Sequence, residues 1–156
     1  MIGRRDVLAE ILNALQQAAG RLRVTHAGVS DLFPLTPGRI VALPPREQER
    51  LDAYAIRYAR CQDLLFPAMR ALARTQLEPK ADGAFLELHA LMQKQGIVGE
   101  PRDWERQRAL RNAVSHEYPD PNAIADILNG IHVATPEILT IAERLDGAAK
   151  RLPNLG

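Results

Sequence analysis

The apolar residues of this 156-residue chain recur at intervals of three and four, which is the spacing of one face of a helix. The first such group predicts an amino-terminal helix from its apolar positions Leu8, Ile11, Leu12, Leu15, Ala19 and Leu22. Asp6 precedes this group and is expected to cap the helix, because aspartate is a favoured residue at helix starts.

A stretch rich in proline and glycine then interrupts the helical pattern. It contains the breakers Gly28, Pro34, Pro37, Gly38, Pro44 and Pro45. We therefore expect a long loop over about residues 23–45, with a short extended piece at Arg39–Leu43. A loop of this length is unusual inside a compact domain, which makes it a candidate carrier of function.

The rest of the chain returns to helical spacing. Four further helices are predicted, from Pro45 through Pro67, from Asp82 to Gln95, from Pro101 to Glu117, and from Pro121 onward. Gly96 is expected to end the third helix, and Asp120 to cap the fifth. Pro67 and Pro136 are expected to kink or restart the helices that contain them.

No alternating pattern typical of a strand is present, so the predicted fold class is all-α. We expect an up-and-down bundle of four to six helices. The chain length fits a single domain over residues 1–156. In this interpretation the amino-terminal helix and the proline-rich loop precede a core bundle at 46–150.

Composition narrows the choice of function. The 20 basic and 19 acidic residues leave a net charge of +1, which argues against general, non-specific binding to the nucleic-acid backbone. Seventeen of the basic residues are arginines, whose planar fork suits carboxylates and phosphates. One cysteine and no apolar run of about 18 residues favour a cytoplasmic protein that does not enter a membrane.

The most unusual polar pattern lies in the fourth predicted helix. At 100° per residue, one side of this helix carries the polar residues Arg108, Arg111, Asn112, Ser115 and His116, and the opposite side carries Ala109, Leu110, Ala113 and Val114 as the expected core face. Arg111 and His116 are about 140° apart on this wheel. Their tips therefore meet only if the last turn unwinds before Pro119 or if a second copy of the helix completes the site.

Histidine and arginine together can cleave RNA without a metal ion. Histidine exchanges protons near neutral pH, and arginine binds phosphate and stabilises its charge. The histidines of the chain lack the spacing of metal ligands and no cysteine cluster accompanies them, so we expect no metal and no cofactor.

The residues Arg111-Asn112-x-x-x-His116-x-Tyr118 resemble the R-x4-H-x-Y signature of HEPN-domain toxins of the HepT type. The resemblance covers roughly residues 46–150 and is specific at 104–121. It implies a small helical bundle that forms a homodimer, with the arginine and histidine of both chains facing a shared cleft. It also implies a metal-independent endoribonuclease whose product ends in a 2′,3′-cyclic phosphate.

The same resemblance implies a role for each motif residue. His116 would act as general base or as the acid for the leaving oxygen, Arg111 would hold the scissile phosphate, and Asn112 would orient His116 or the substrate. Tyr118 would be the target of a minimal nucleotidyltransferase antitoxin that transfers AMP to its hydroxyl. The family also includes non-catalytic subunits that bind a substrate or a nucleotidyltransferase, and this alternative stays open, as does a purely structural helical protein.

Further arginines form a second candidate surface. Four arginines fall on one face of the second predicted helix, at Arg46, Arg50, Arg57 and Arg60. Together with Arg108 and Ser115, they are candidate contacts for RNA backbone or for an acidic partner. The alternative is a solvated helix face balanced by neighbouring acidic residues.

Overall fold

The computed structural model describes residues 2–153, so Met1 and residues 154–156 of the predicted domain lie outside the described part. Within residues 2–153 the chain is helical and forms no strand, which confirms the all-α class. Six α-helices and one short 3-10 turn follow each other: α1 (Arg4–Val29), the 3-10 turn (Ser30–Leu32), α2 (Pro37–Ala42), α3 (Pro45–Thr75), α4 (Phe85–Lys94), α5 (Pro101–Ala113) and α6 (Pro121–Lys150). None of these described helices combines the length and the apolar character needed to cross a bilayer.

Proline sets the start of four helices. The first helical position is a proline in each of them, at Pro37, Pro45, Pro101 and Pro121. An amide at this position has no acceptor within the helix, so the lack of an amide proton in proline costs no hydrogen bond. Two of these starts also have a side-chain cap. The Thr36 hydroxyl accepts from the amide of Arg39 at 3.2 Å, and the Asp120 carboxylate accepts from the amide of Asn122 at 2.9 Å.

The four long helices α1, α3, α5 and α6 form an up-down-up-down bundle. The start of α1 contacts the end of α3 through the hydrogen bond between the Thr75 hydroxyl and the Arg4 carbonyl, and the end of α1 contacts the start of α3. Helix α5 runs antiparallel to both α3 and α6. Helices α5 and α6 approach closely at Gly130, where an added Cβ atom would lie 2.7 Å from a methyl group of Leu110.

The core lies between these helices and is dominated by α3 and α6. Tyr54, Tyr58 and Leu65 of α3 are fully buried, as are Ile131 and Ile138 of α6. The short helix α4 packs against α3. Gly96 follows the C-cap residue of α4 and stops the helix with a φ of +73°, which glycine adopts without strain. The predicted stop at Gly96 is therefore confirmed.

The region expected to be a long loop is mostly helical. Helix α1 continues to Val29, which is buried, and its last turn is held by Arg50 on the Gly28 carbonyl and by Arg57 on the Thr25 hydroxyl. These tertiary contacts outweigh the low helix propensity of Gly28. The extended piece predicted at Arg39–Leu43 is wrong, because α2 occupies its first four residues and only the cap residue Leu43 is extended.

Three further details of the helices refine the predictions. Asp6 helps to cap α1, but it is not the N-cap residue. It lies at the third helical position, and its carboxylate accepts from the backbone amide of Gly3, which is the N-cap residue. Of the two effects expected at Pro67 and Pro136, a kink or a restart, the structure excludes the restart, since α3 and α6 each continue through the proline. Helix α5 ends at Ala113 rather than at Glu117. Its last predicted turn is therefore unwound before Pro119, which was one of the two conditions under which the tips of Arg111 and His116 could meet.

Candidate active site

Trp104 sets the orientation of α5. Its buried indole packs against Phe66 of α3 and Phe85 of α4, with ring centroids 6.4 and 5.8 Å away. Gln107, one turn later, is the other buried residue of the helix. Ala109, expected in the core, is therefore exposed, because the helix is rotated toward the face that carries Trp104. Leu110, Ala113 and Val114 are only half-buried.

This rotation brings Arg111 against α3 instead of leaving it in solvent. Its Nε donates to Oδ1 of Asp63 at 2.7 Å, and its Nη2 donates to Oδ2 at 2.8 Å. Such a two-bond pairing of guanidinium with carboxylate is the strongest geometry available to this pair. The remaining nitrogen, Nη1, donates to the Ser115 hydroxyl at 3.0 Å. Arg111 is thus fixed by two side chains.

Arg108 joins the same cluster. Its Nη1 donates to Oδ1 of Asp63 at 2.9 Å and to Oε1 of the buried Gln62 at 2.7 Å. Burial alone would raise the pKa of Asp63, but the hydrogen bonds and charges of Arg111 and Arg108 outweigh it and lower that pKa. Asp63 is therefore ionised at neutral pH, and the cluster of Asp63, Arg108 and Arg111 carries a net charge of +1. We call it the arginine cluster.

His116 and Tyr118 follow α5 in an irregular segment. A turn at residues 114–116 carries the chain away from the helix axis, with the His116 amide donating to the Ala113 carbonyl at 3.1 Å. The His116 ring is exposed and lies edge-on to the half-buried ring of Tyr118, with centroids 6.2 Å apart. Asn112 is also exposed, and among the described residues its side chain makes no hydrogen bond to His116.

A groove of about 660 Å³ lies beside these two rings. Its walls are mainly apolar and come from α3, the end of α5, and the start of α6. The lining residues are Leu51, Asp52, Ala55, Ala113, Val114, His116, Glu117, Tyr118, Pro119, Ile124, Ile127 and Leu128. A ligand in this groove would contact an imidazole, which transfers protons, and a phenol, which can be acylated or phosphorylated at oxygen.

The structure separates the two motif residues expected to work together. His116 lines the groove, whereas Arg111 does not and instead belongs to the arginine cluster on α3. The shortened α5 therefore does not bring their side chains into one pocket. Ser115 is the link between them along the chain, because it accepts from Arg111 and directly precedes His116.

The arginines of the second candidate surface divide into two pairs. Arg50 binds Glu47 and the Gly28 carbonyl, and Arg57 binds the Thr25 hydroxyl, so both stabilise the packing of α3 on α1. Arg46 and Arg60 are exposed. A continuous surface of four free guanidinium groups is therefore not present.

Sequence reasoning missed Asp63. The signal that could have indicated it is the pair of arginines at i and i+3 in α5, since two arginines on a partly buried face require a nearby anion. It also missed a stack of rings in which His132 of α6 lies between Phe33 and His26, with centroids 4.2 and 4.7 Å away. Nothing in the spacing of these three residues indicates that they meet.

Within the described residues, no group of three or more histidine, cysteine, aspartate or glutamate side chains is arranged to hold a metal ion. The comparisons with known proteins leave the family open as well. No protein-family model, curated protein or solved structure matches this chain.

Proposed function

We propose that this protein is an endoribonuclease toxin of the HEPN type, which cleaves RNA in the cytoplasm without a metal ion and is inhibited by a nucleotidyltransferase antitoxin. The observation that carries the proposal is the Arg111…His116-x-Tyr118 motif at the end of α5, with the exposed His116 and the half-buried Tyr118 lining a groove in an all-helical bundle. The fixed Arg111 and the accessible imidazole are the two groups that such a reaction requires.

The reaction follows from the chemistry of these groups. The ribose 2′-hydroxyl attacks the adjacent phosphorus, forming the P–O2′ bond, while the P–O5′ bond breaks. His116 takes the proton of the 2′-hydroxyl or supplies a proton to the leaving O5′. The arginine stabilises the negative charge that builds up on the phosphate oxygens. The products are a 2′,3′-cyclic phosphate and a 5′-hydroxyl.

A homodimer is part of this proposal. Arg111 does not line the groove of its own chain, so a single copy places the histidine and the arginine apart. A second copy whose α5 faces the first would supply the missing partner for each. Asn112 is exposed, lies four residues before His116, and would contact the substrate or the partner copy.

Tyr118 fits the role of the regulated residue. Its ring lines the groove two residues from His116, so AMP attached to its hydroxyl would fill space next to the imidazole. The added phosphate would also repel the RNA backbone by its charge. Modification of Tyr118 by the nucleotidyltransferase would therefore block the nuclease.

The test is cleavage of RNA by the purified full-length chain with EDTA present. We expect wild type to cleave and His116→Ala to lose about 100-fold or more of the rate, because general acid–base catalysis contributes about 10²–10⁴-fold. Glu105→Gln, a change of an exposed residue on α5, is the control and should leave cleavage unchanged. Equal cleavage by wild type and His116→Ala would overturn the proposal.

The second candidate is a non-catalytic subunit that binds a nucleotidyltransferase. The observation in its favour is that Arg111 is already bound by Asp63 and Ser115, as a structural arginine would be. A wild-type chain that does not cleave RNA but forms a stable complex with a nucleotidyltransferase, without AMP on Tyr118, would support this alternative.

A further inference from the structure

The arginine cluster keeps unused hydrogen-bond donors. A guanidinium carries five N–H groups. Arg111 uses three of them on Asp63 and Ser115, and Arg108 uses two on Asp63 and Gln62. Asp63 holds the Nε–Nη2 edge of Arg111, which is one of the two edges through which a guanidinium binds an oxyanion by two parallel bonds. The cluster therefore offers further donors to an anion, but one two-bond edge of Arg111 is occupied by a residue of the chain itself.

An aromatic hollow lies directly beside the cluster. It measures about 410 Å³, and Asp63 and Arg108 form one wall while Phe66, Phe85 and Trp104 form the apolar walls. A ligand that fills both the hollow and the cluster needs a negative group next to a flat apolar group. A nucleotide has both, whereas inorganic phosphate has only the first.

We propose that Arg108 and Arg111 bind one phosphodiester of single-stranded RNA, that the attached base lies in the aromatic hollow, and that Asp63 limits the affinity by competing for Arg111. This inference rests on the RNA-binding function proposed above and adds a site outside the His116 groove. Asp63 competes in two ways, by holding the oxyanion-binding edge of Arg111 and by repelling the phosphate with its own charge.

Binding of a fluorescently labelled six-nucleotide 2′-O-methyl RNA tests this inference, because RNA without a free 2′-hydroxyl binds but cannot be cleaved. At low salt, Asp63→Asn should bind about three- to tenfold more tightly than wild type, since it removes the competing charge at close range. Asp63→Glu restores the charge and should return the affinity toward wild type. Arg111→Ala should weaken binding about tenfold or more.

The matched control is Glu49→Gln. It removes one negative charge from the same helix, but it lies about 21 Å away along α3, from 14 residues at 1.5 Å each. It should change the affinity less than twofold, because the Coulomb energy of two unit charges about 21 Å apart through water is only a fraction of RT. Unlabelled uridine monophosphate should displace the RNA at a lower concentration than inorganic phosphate does.

The outcomes separate this inference from the proposed nuclease. If Asp63→Asn binds like Glu49→Gln, or more weakly than wild type, the competition by Asp63 is overturned, and cleavage by His116 is untouched. If Arg111→Ala binds as tightly as wild type, the phosphate role of Arg111 fails in both proposals. Should Asp63→Asn not fold, the side-chain N–H signals of Arg108 and Arg111 in wild-type NMR spectra decide instead. They should shift when the RNA is added, and unmoved signals would overturn the site.

Discussion

At the scale of single residues, a buried chain of hydrogen bonds runs through Tyr54. The Thr135 hydroxyl gives its only proton to the Ile131 carbonyl at 2.7 Å, so toward Tyr54 it acts as acceptor at 2.8 Å. The Tyr54 oxygen in turn accepts from Nδ1–H of His26 at 2.8 Å. Burial raises the pKa of Tyr54 to about 12, so the phenol keeps its proton and its place in the chain.

Tyr54→Phe should destabilise the fold by about 1–3 kcal/mol. The change leaves the buried Thr135 oxygen and the His26 Nδ1–H without their partner, and the cost of an unpaired buried polar group falls in that range. Tyr118→Phe removes a hydroxyl from a half-buried ring at the groove and should change stability by less than about 0.5 kcal/mol. Urea unfolding followed by circular dichroism measures both, and equal stability of the two variants would contradict the assignment.

The sequence predicts single residues well where a local rule governs them. The cap at Asp120 and the stop at Gly96 depend only on their own backbone segments, and both were predictable. Asp63 was not, because its role depends on how α3 packs against α5. The rotation of α5 that creates this contact comes from Trp104, whose two aromatic partners are distant in sequence.

At the scale of elements, two glycines are expected to respond to alanine in opposite ways. Gly20 lies inside α1, and a Cβ atom there would meet nothing within 4 Å, so Gly20→Ala should stabilise the fold by about 0.5–1 kcal/mol through helix propensity. Gly96 also has open space but a φ of +73°, so Gly96→Ala should destabilise it by about 1–2 kcal/mol.

Thermal unfolding measures the stability of the Gly20→Ala and Gly96→Ala variants. For a chain of this size, about 1 kcal/mol corresponds to a change in Tm of roughly 2–4 °C, so the two variants should differ by several degrees on either side of wild type. Because neither Cβ atom meets a neighbour, the comparison isolates the backbone conformation. A shift of both melting temperatures in the same direction would contradict the predicted opposite effects of the two substitutions.

The limits of sequence reasoning at this scale are clearest in residues 23–45. Prolines and glycines there indicated a loop, yet Thr36 followed by Pro37 is a cap and a first-turn proline, the same local signal that starts α6. That start was therefore predictable from the sequence. The continuation of α1 to Val29 was not, because Arg50 and Arg57 of another helix hold it.

At the scale of the whole molecule, the ring stack of Phe33, His132 and His26 joins three segments that are far apart in the sequence. These residues come from the segment after the 3-10 turn, from α6 and from α1, so the stack links the proline-containing connection to two long helices. Apolar spacing predicted that the helices form a bundle. It could not predict that this junction is built from histidines, because pairing between distant helices leaves no periodic signal.

The stability of the molecule should consequently fall in mild acid. Burial lowers the pKa of His26, with a further contribution from the charge of His132, and burial also lowers the pKa of His132. As the pH falls through the ordinary histidine value of 6.5, the unfolded chain takes up protons that the folded chain does not. The free energy of unfolding therefore decreases from pH 7.5 toward pH 5.

His132→Phe isolates the contribution of the stack to this loss. The variant keeps an aromatic ring against Phe33 but removes one titrating group and its charge on His26, so its stability should decrease less between pH 7.5 and pH 5 than that of wild type. Urea unfolding at both pH values gives the two differences. Asp63 does not disturb the comparison, since its pKa is lowered below 3.8 and it stays ionised throughout this range. Equal losses of stability in the two proteins would show that the acid sensitivity arises from another group. The next group to replace is then the buried His89, because burial lowers its pKa as well.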